Sequence, residues 1–293
     1  MNLPIVDCEG LVYIYKSSQL EIVALQGLDL RVQSGEMVAI AGRSGSGKTT
    51  LMNILGGVDV PSAGKAMVAS QDLTRMSEHE RDRYRRETVG YLLQRSQANL
   101  VLHLTAVENV QLAALANPTL GDDRARQLLE RLGLERRIND RPDALTGGEK
   151  IRLALAVALA NGPRLLLADE LTAELDTTTA HSVLVDLATV LEELGTTAVF
   201  VTHDPELERF AGRVVQIRDG KTSTETRWTG SRETMVADEL VIMDRAGRIQ
   251  LPRAYVEKLA LKERVRLRLE HDHISIRPPE PLAGPDSMDG QNA

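Results

Sequence analysis

Cysteine, aromatic residues and long apolar runs are all scarce in this sequence, and each scarcity removes a class of protein. Cys8 is the only cysteine in 293 residues, so no internal disulfide or cysteine-cluster metal centre can form, and a reducing compartment fits. The residue itself reads as a small apolar core side chain. Phe, Trp and Tyr make up 3% of the chain, too few for the stacking platforms that hold single-stranded nucleic acid. Basic residues are outnumbered, 35 Lys and Arg against 42 Asp and Glu, and the net charge of -7 leaves no global basic footprint for nucleic acid or anionic lipid. The longest apolar run, Leu153 to Ala160, is bracketed by Arg152 and Asn161 and falls well short of the ~20 residues that span a bilayer. Met1-Asn2-Leu3-Pro4-Ile5 shows no basic region leading into an apolar stretch, so no signal peptide is expected.

What remains is enough for a folded core, with 42% hydrophobic and 26% charged residues. Gly42-Arg43-Ser44-Gly45-Ser46-Gly47-Lys48-Thr49 matches a phosphate-cradling P-loop. The glycines let successive backbone N–H groups turn toward one anion, the following helix adds its positive end, and Lys48 reaches the terminal phosphates. Thr49 is placed to hold Mg²⁺ through its hydroxyl. The flanks agree: Met37 to Ala41 is a short apolar strand, and Lys48-Thr49-Thr50 begins a helix that ends at Gly56-Gly57. Residues 3 to 41 read as β-rich, with Leu28, Leu30 and Val32 alternating with polar neighbours. About 95 to 162 reads as helical, with a capping box at Thr105-Ala106-Val107-Glu108, helix-start aspartates at Asp122 and Asp123, and a stop at Gly133. From 164 to 220 strands and helices alternate, Arg164 to Ala168 and Ala198 to Val201 as strands and Val183, Leu184, Leu187, Val190, Leu191 and Leu194 as one helix face. The expectation is a mainly parallel α/β core with a helical insertion.

Further chemistry falls at strand ends, where open α/β sheets bind ligands. Asp169-Glu170 follows the Leu165–Ala168 strand, so that Asp169 complements Mg²⁺ and Glu170 polarises water, unless the pair is a solvated turn. Thr202-His203-Asp204 follows the next strand in the same way, with a structural histidine as the plainer reading. Leu145-Thr146-Gly147-Gly148-Glu149 contains a capping box, Thr146 with Glu149, yet two glycines at a helix start are costly unless backbone must approach a ligand. Here the sequence resembles the ABC-transporter ATPase family, whose signature reads Leu-Ser-Gly-Gly-Gln. The resemblance spans about residues 3 to 220, with Gln94 as the Q-loop, Leu175-Asp176 as the D-loop, His203 as the H-loop, and Tyr15, or alternatively Tyr13, as the aromatic that stacks on adenine.

The resemblance implies a head-to-tail homodimer with two ATP molecules between subunits, each touching Gly42 to Thr50 of one copy and Thr146, Gly147 and Gly148 of the other. It assigns Lys48 to the γ-phosphate, Thr49, Gln94 and Asp169 to Mg²⁺, Glu170 to the attacking water and His203 to the γ-phosphate. Departures are Thr146 for Ser, Glu149 for Gln, Leu171 for the proline after Walker B, and Val157 for an arginine in the signature helix; Glu149 is read as capping its own helix. Leu51 to Gly64, Leu104 to Val110 and Arg141-Pro142 resemble the lipoprotein-releasing and macrolide-export group, in which the ATPase is a peripheral subunit on the cytoplasmic face of the plasma membrane and drives a separate integral permease. Arg95 to His103 is the expected permease contact.

The expected boundaries are an ABC-type ATP-binding domain over 1–220, a polar linker over 221–237, a small β-rich module over 238–277 and a disordered tail over 278–293. Asp244 to Pro252 resembles the AbrB/MazE-like swapped-hairpin domain, which implies dimerisation or DNA binding. The module is expected to place strands at Leu240–Met243 and Arg248–Leu251, a helix at Arg253–Leu261, and a final strand pair at Val265–Leu269 and His273–Arg277. Nine Lys and Arg against seven Asp and Glu over 238–277 make it nearly neutral, which favours dimerisation. Two readings follow, a transporter energising subunit and a soluble ATP-responsive regulator acting on nucleic acid through this module.

Overall fold

A computed structural model of the chain describes residues 3–16, 20–93, 96–117, 123–229, 236–243 and 247–279. Strands β1 (Val6–Lys16) and β2 (Glu21–Val32) pair antiparallel. Leu28, Leu30 and Val32 are buried while Arg31 between them is exposed, as the alternation requires. The apolar strand β3 (Met37–Ala41) leads through the glycine loop into α1 (Lys48–Leu55), which stops at Gly56 and Gly57. β4 (Ala63–Val68) and β5 (Gln71–Asp72) complete a four-stranded antiparallel sheet in the order β2-β1-β4-β5.

Helix α2 (Glu78–Glu87) and strand β6 (Val89–Leu92) follow, then the helical insertion: α3 (Ala106–Ala114), α4 (Arg124–Arg131) and α5 (Gly147–Leu159). Capping boxes at Ser77, Thr105 and Thr146 open α2, α3 and α5. Asp123 stands at the N-cap of α4 without a side-chain bond, Asp122 lies outside the described residues, and Gly133 follows the helix with φ of 70°. Strand and helix then alternate through β7 (Leu165–Asp169), α6 (Thr177–Leu194), β8 (Thr197–Val201), α7 (Pro205–Ala211) and β9 (Arg213–Arg218). The central strands β3, β7 and β8 are mainly apolar because they are buried on both faces. Leu165 and Leu167 of β7 join the core beneath the N-terminal sheet, whereas Leu166 and Ala168 join the core formed with α5 and α6. Cys8 is 1% exposed, and burial pushes its thiol pKa up, as an apolar core residue should behave.

Residues 221–229 and 236–237 lie in strands, where the sequence reading expected a linker over 221–237. β10 (Lys221–Thr229) pairs with β9, and β11 (Val236–Val241) pairs with β10. The main sheet therefore runs β11-β10-β9-β3-β8-β7-β6, parallel from β6 to β9, and extends beyond residue 220. The segment looks like a linker because its polarity is satisfied internally. Glu225, 8% exposed, accepts from Arg213 Nη2 at 2.8 Å and Arg227 Nε at 2.6 Å, while Arg213 also donates to Glu36 at 3.0 Å. Threonines 222, 224 and 226 supply β-branched stems.

Beyond β11 the chain forms α8 (Arg253–Lys258) and a two-stranded hairpin, β12 (Arg266–Leu269) with β13 (Ile274–Arg277). These stand where a helix and a final strand pair were expected. The strand expected at Leu240–Met243 is instead the end of β11, on the edge of the main sheet. Its expected return partner at Arg248–Leu251 is reduced to one bridge, Met243 to Ile249. Asp244 to Ala246 and the tail from 280 lie outside the described residues.

Candidate nucleotide site

The loop between β3 and α1 needs glycine at two positions for stated reasons. Gly42 has φ of 147°, and a Cβ there would lie 2.3 Å from the Ile217 carbonyl; Gly47 has φ of 103°, and its Cβ would lie 2.7 Å from the Ala24 carbonyl. Lys48, 8% exposed, curls back and donates through Nζ to the carbonyls of Gly42 at 2.6 Å and Arg43 at 3.1 Å. Burial lowers its pKa, opposed by the nearby Glu170 and Asp169 carboxylates.

Those carboxylates arrive from β7, which lies beyond β8 from β3 in the sheet. Asp169 ends β7 and pairs with Val201 of β8. Burial raises its pKa, and Lys48 and His203 pull it back. Glu170 follows with φ of 52°, a left-handed conformation that a non-glycine residue adopts at a cost of about 1–3 kcal/mol. Its N–H donates to the Val201 carbonyl at 2.9 Å, and its Oε1 lies 3.7 Å from His203 Nε2. Thr172 and Asp204, to which the sequence reading gave no role, join these two strand ends through a hydrogen bond of 2.6 Å. The Asp204-Pro205 helix-start signal was present in the sequence; nothing in it singled out Thr172.

Of the two tyrosines, Tyr15 reaches the site: its hydroxyl is 3.1 Å from Thr50 Oγ1, and it is half exposed at the mouth. Tyr13 packs edge-on against Tyr15 at 4.8 Å and sits against the core instead. Tyr15, Lys48, Thr49, Asp169, Glu170 and His203 thus line one cleft of about 370 Å³. A larger cavity of about 540 Å³ lies against the other side of the same loop, bounded by Arg218, Asp219 and Gln250. Lys48, Thr49, Asp169 and Glu170 do not line it. The cleft fits the demands of a magnesium-bound nucleotide: a lysine, a cradle that side chains would fill, and an oxygen donor set of hydroxyl and carboxylate. Gln94 lies outside the described residues.

Thr146, Gly147 and Gly148 do not line this cleft; they open α5 in the helical insertion. Glu149 is turned back on its own helix. Its Oε2 accepts from Thr146 N at 2.8 Å, its Oε1 from Arg137 Nε at 3.0 Å, and these partners, the Thr146 backbone first, lower its pKa. The two glycines differ. A Cβ on Gly148 would meet Thr179 Cγ2 at 2.6 Å, so packing against α6 demands glycine there. A Cβ on the exposed Gly147 would meet nothing closer than Leu175 at 4.0 Å. Nothing among the described residues requires it. Asp176 caps α6 through Thr179 N at 3.0 Å.

Comparisons with known proteins fall on the same region. The ABC transporter family model matches residues 25–173. The chain is 41% identical over 223 residues to lipoprotein-releasing system ATP-binding protein LolD 2 of Caulobacter vibrioides, covering 75% of this chain and 97% of that one. It is 39% identical over 224 residues to the macrolide export ATP-binding/permease protein MacB of Hahella chejuensis, covering 75% of this chain and 34% of that one. The chain thus spans about a third of the length of its MacB relatives. Among solved structures, the dimeric post-hydrolysis state of the ATP-binding cassette MJ0796 bound to ADP and Pi matches with a TM-score of 0.68 at 35% identity, covering 77% of this chain and 100% of that one.

Proposed function

Because this chain belongs to the ABC transporter ATP-binding family, we propose that it binds and hydrolyses ATP at a dimer interface to energise a separate membrane permease. One observation carries the reading: Lys48, Thr49, Asp169, Glu170 and His203 converge on a single cleft with Tyr15 at its mouth. Gly42 to Thr50 hold the phosphates through backbone N–H groups and Lys48, and Tyr15 stacks on the base. Thr49, Asp169 and Gln94 would hold Mg²⁺, which would supply positive charge to offset that of the phosphates. Glu170 orients the attacking water and accepts its proton, and His203 contacts the γ-phosphate. The second copy supplies the start of its α5, where the Gly147 and Gly148 N–H groups, beside the capping residue Thr146, complete the γ-phosphate cage.

Likeness to LolD and MacB favours export or lipoprotein release, with the protein on the cytoplasmic face of the plasma membrane. No described helix is long and apolar enough to cross a membrane. The permease docks on the loop through His103, where Leu102 is 58% exposed. Glu170→Gln should retain ATP binding and lose hydrolysis by about 100-fold or more. Unimpaired turnover in that variant would refute the assignment.

The C-terminal segment serves a second copy. Leu240, Tyr255, Leu259, Val265, Leu267, Leu269 and Ile274 are all exposed large apolar side chains, and among its described hydrophobic residues only Leu261 is buried. An isolated two-stranded hairpin is marginal in water. The AbrB-like reading gives these faces a partner: two segments interlock, hold two ATPase copies together and raise their effective concentration. Leu267→Glu with Leu269→Glu should shift the nucleotide-free protein toward monomer in sedimentation analysis. An unchanged dimer fraction argues against this tether.

A further inference from the structure

Glu170 sits in a left-handed backbone conformation at the point where the chain leaves β7, so something must hold it there. On its upstream side the hold is the sheet, through Asp169 paired with Val201 and the Glu170 N–H donating to the Val201 carbonyl. Downstream, Leu171 and Thr172 are buried at 2% and 4%, and the Thr172 hydroxyl donates to Asp204 Oδ2 at 2.6 Å. Asp204 is itself fixed: its N–H donates to Thr202 Oγ1 at 2.9 Å, and its Oδ1 accepts the Glu206 N–H at 2.9 Å at the start of α7. His203 stands between the two members of this turn. Leu171 leaves its own φ unconstrained, where a proline would fix it, so the constraint after Glu170 rests on the side-chain bond.

We propose that the half-buried Thr172–Asp204 hydrogen bond is a positioning tie that sets Glu170 and His203 relative to each other, and hence relative to the γ-phosphate and water; this rests on the functional reading above. Neither residue lines the cleft. Both act through the backbone of their neighbours. A displacement of a catalytic group by about 1 Å costs up to ~100-fold in rate, so breaking the tie should lower kcat and spare nucleotide affinity.

The test uses full-length protein and ATP. Thr172→Val keeps the shape and removes the hydroxyl; kcat should fall about tenfold with the ATP dissociation constant within about twofold, and Thr172→Ser should restore turnover. Asp204→Ser keeps a capping oxygen for α7 but is too short to reach Thr172. It should show the same kcat loss, and the double variant should be no worse than either single one. Additive losses, equal losses of kcat and affinity, or wild-type kcat in Thr172→Val overturn the tie. Glu170→Gln is assayed alongside: if it is inactive while Thr172→Val is normal, only the positioning role falls, whereas turnover unaffected by Glu170→Gln removes the functional reading and the tie with it.

Discussion

The loop Gly42–Gly47 and the turn Thr146–Gly148 both bring glycines to a helix N-terminus, yet only the first is surrounded by chemistry from its own chain. At the start of α1, Lys48, Thr49, the Asp169-Glu170 pair and His203 share a cleft. At the start of α5 the hydroxyl and carboxylate of the capping box serve the helix itself, and Gly147 presents open backbone to solvent. Helix N-termini attract anions through their free N–H groups and dipole. Thr146, Gly147 and Gly148 do not line that cleft. The difference teaches that the start of α1 is explained within one chain, whereas Gly147 at the start of α5 is exposed backbone with no packing role among the described residues.

The largest effect that separates the two halves comes from mixing. Gly147→Asp puts a carboxylate where the second copy's γ-phosphate would lie, and aspartate is tolerated in a first helical turn, so the fold should persist. Alone it should reduce turnover about 100-fold, comparable to loss of an anion-stabilising donor. Mixed one to one with Glu170→Gln, which is also inactive alone, it should recover about a quarter of wild-type turnover, because half the dimers carry one intact composite site. No recovery on mixing breaks the comparison, since each half would then act within its own chain. A smaller effect separates the two glycines. Gly148→Ala should destabilise by about 1–3 kcal/mol through the clash with Thr179, a fall of several degrees in melting temperature. Gly147→Ala has room and should melt at or slightly above wild type. Equal melting temperatures would remove the distinction.

Much of this was readable from sequence because the signals were local. The P-loop, the strand-end carboxylates and the capping boxes at Thr105 and Thr146 depend on residues within a few positions, and β7 and β8 are apolar enough to read as strands buried on both faces. What was not readable depended on distant pairing. β10 looks like a polar linker until Arg213 and Glu36 are placed beside Glu225. The packing role of Gly148 appears only once Thr179, more than thirty residues along the chain, is placed against it. Thr172 carries no signal at all until the sheet brings Asp204 to it. In the C-terminal segment the helix and last hairpin followed local pattern, whereas its first strand was captured by the edge of the main sheet, a competition that period alone does not decide.

The smallest effect concerns the one charge that separates this signature from the pattern it resembles. Glu149 stands where glutamine is usual, and a carboxylate beside a triphosphate should repel it. The structure turns that carboxylate toward Thr146 and Arg137. Its pKa is lowered below the ordinary 4.5 by the Thr146 backbone bond and then by Thr146 Oγ1 and Arg137. Its folded pKa lies below its unfolded one, so protonation favours unfolding; the stability it contributes is present above pH 4.5 and is lost as pH falls through the lowered value. Glu149→Gln keeps the cap acceptor and loses the ion pair, so at neutral pH it should cost no more than about 0.5 kcal/mol. The gap between wild type and variant in acid melts should close below that pH. ATP turnover should change by less than about threefold, because no charge facing the nucleotide is removed. A tenfold gain in turnover would mean that Glu149 faces the γ-phosphate in the dimer, and the start of α5 would then carry chemistry of its own, as the start of α1 does.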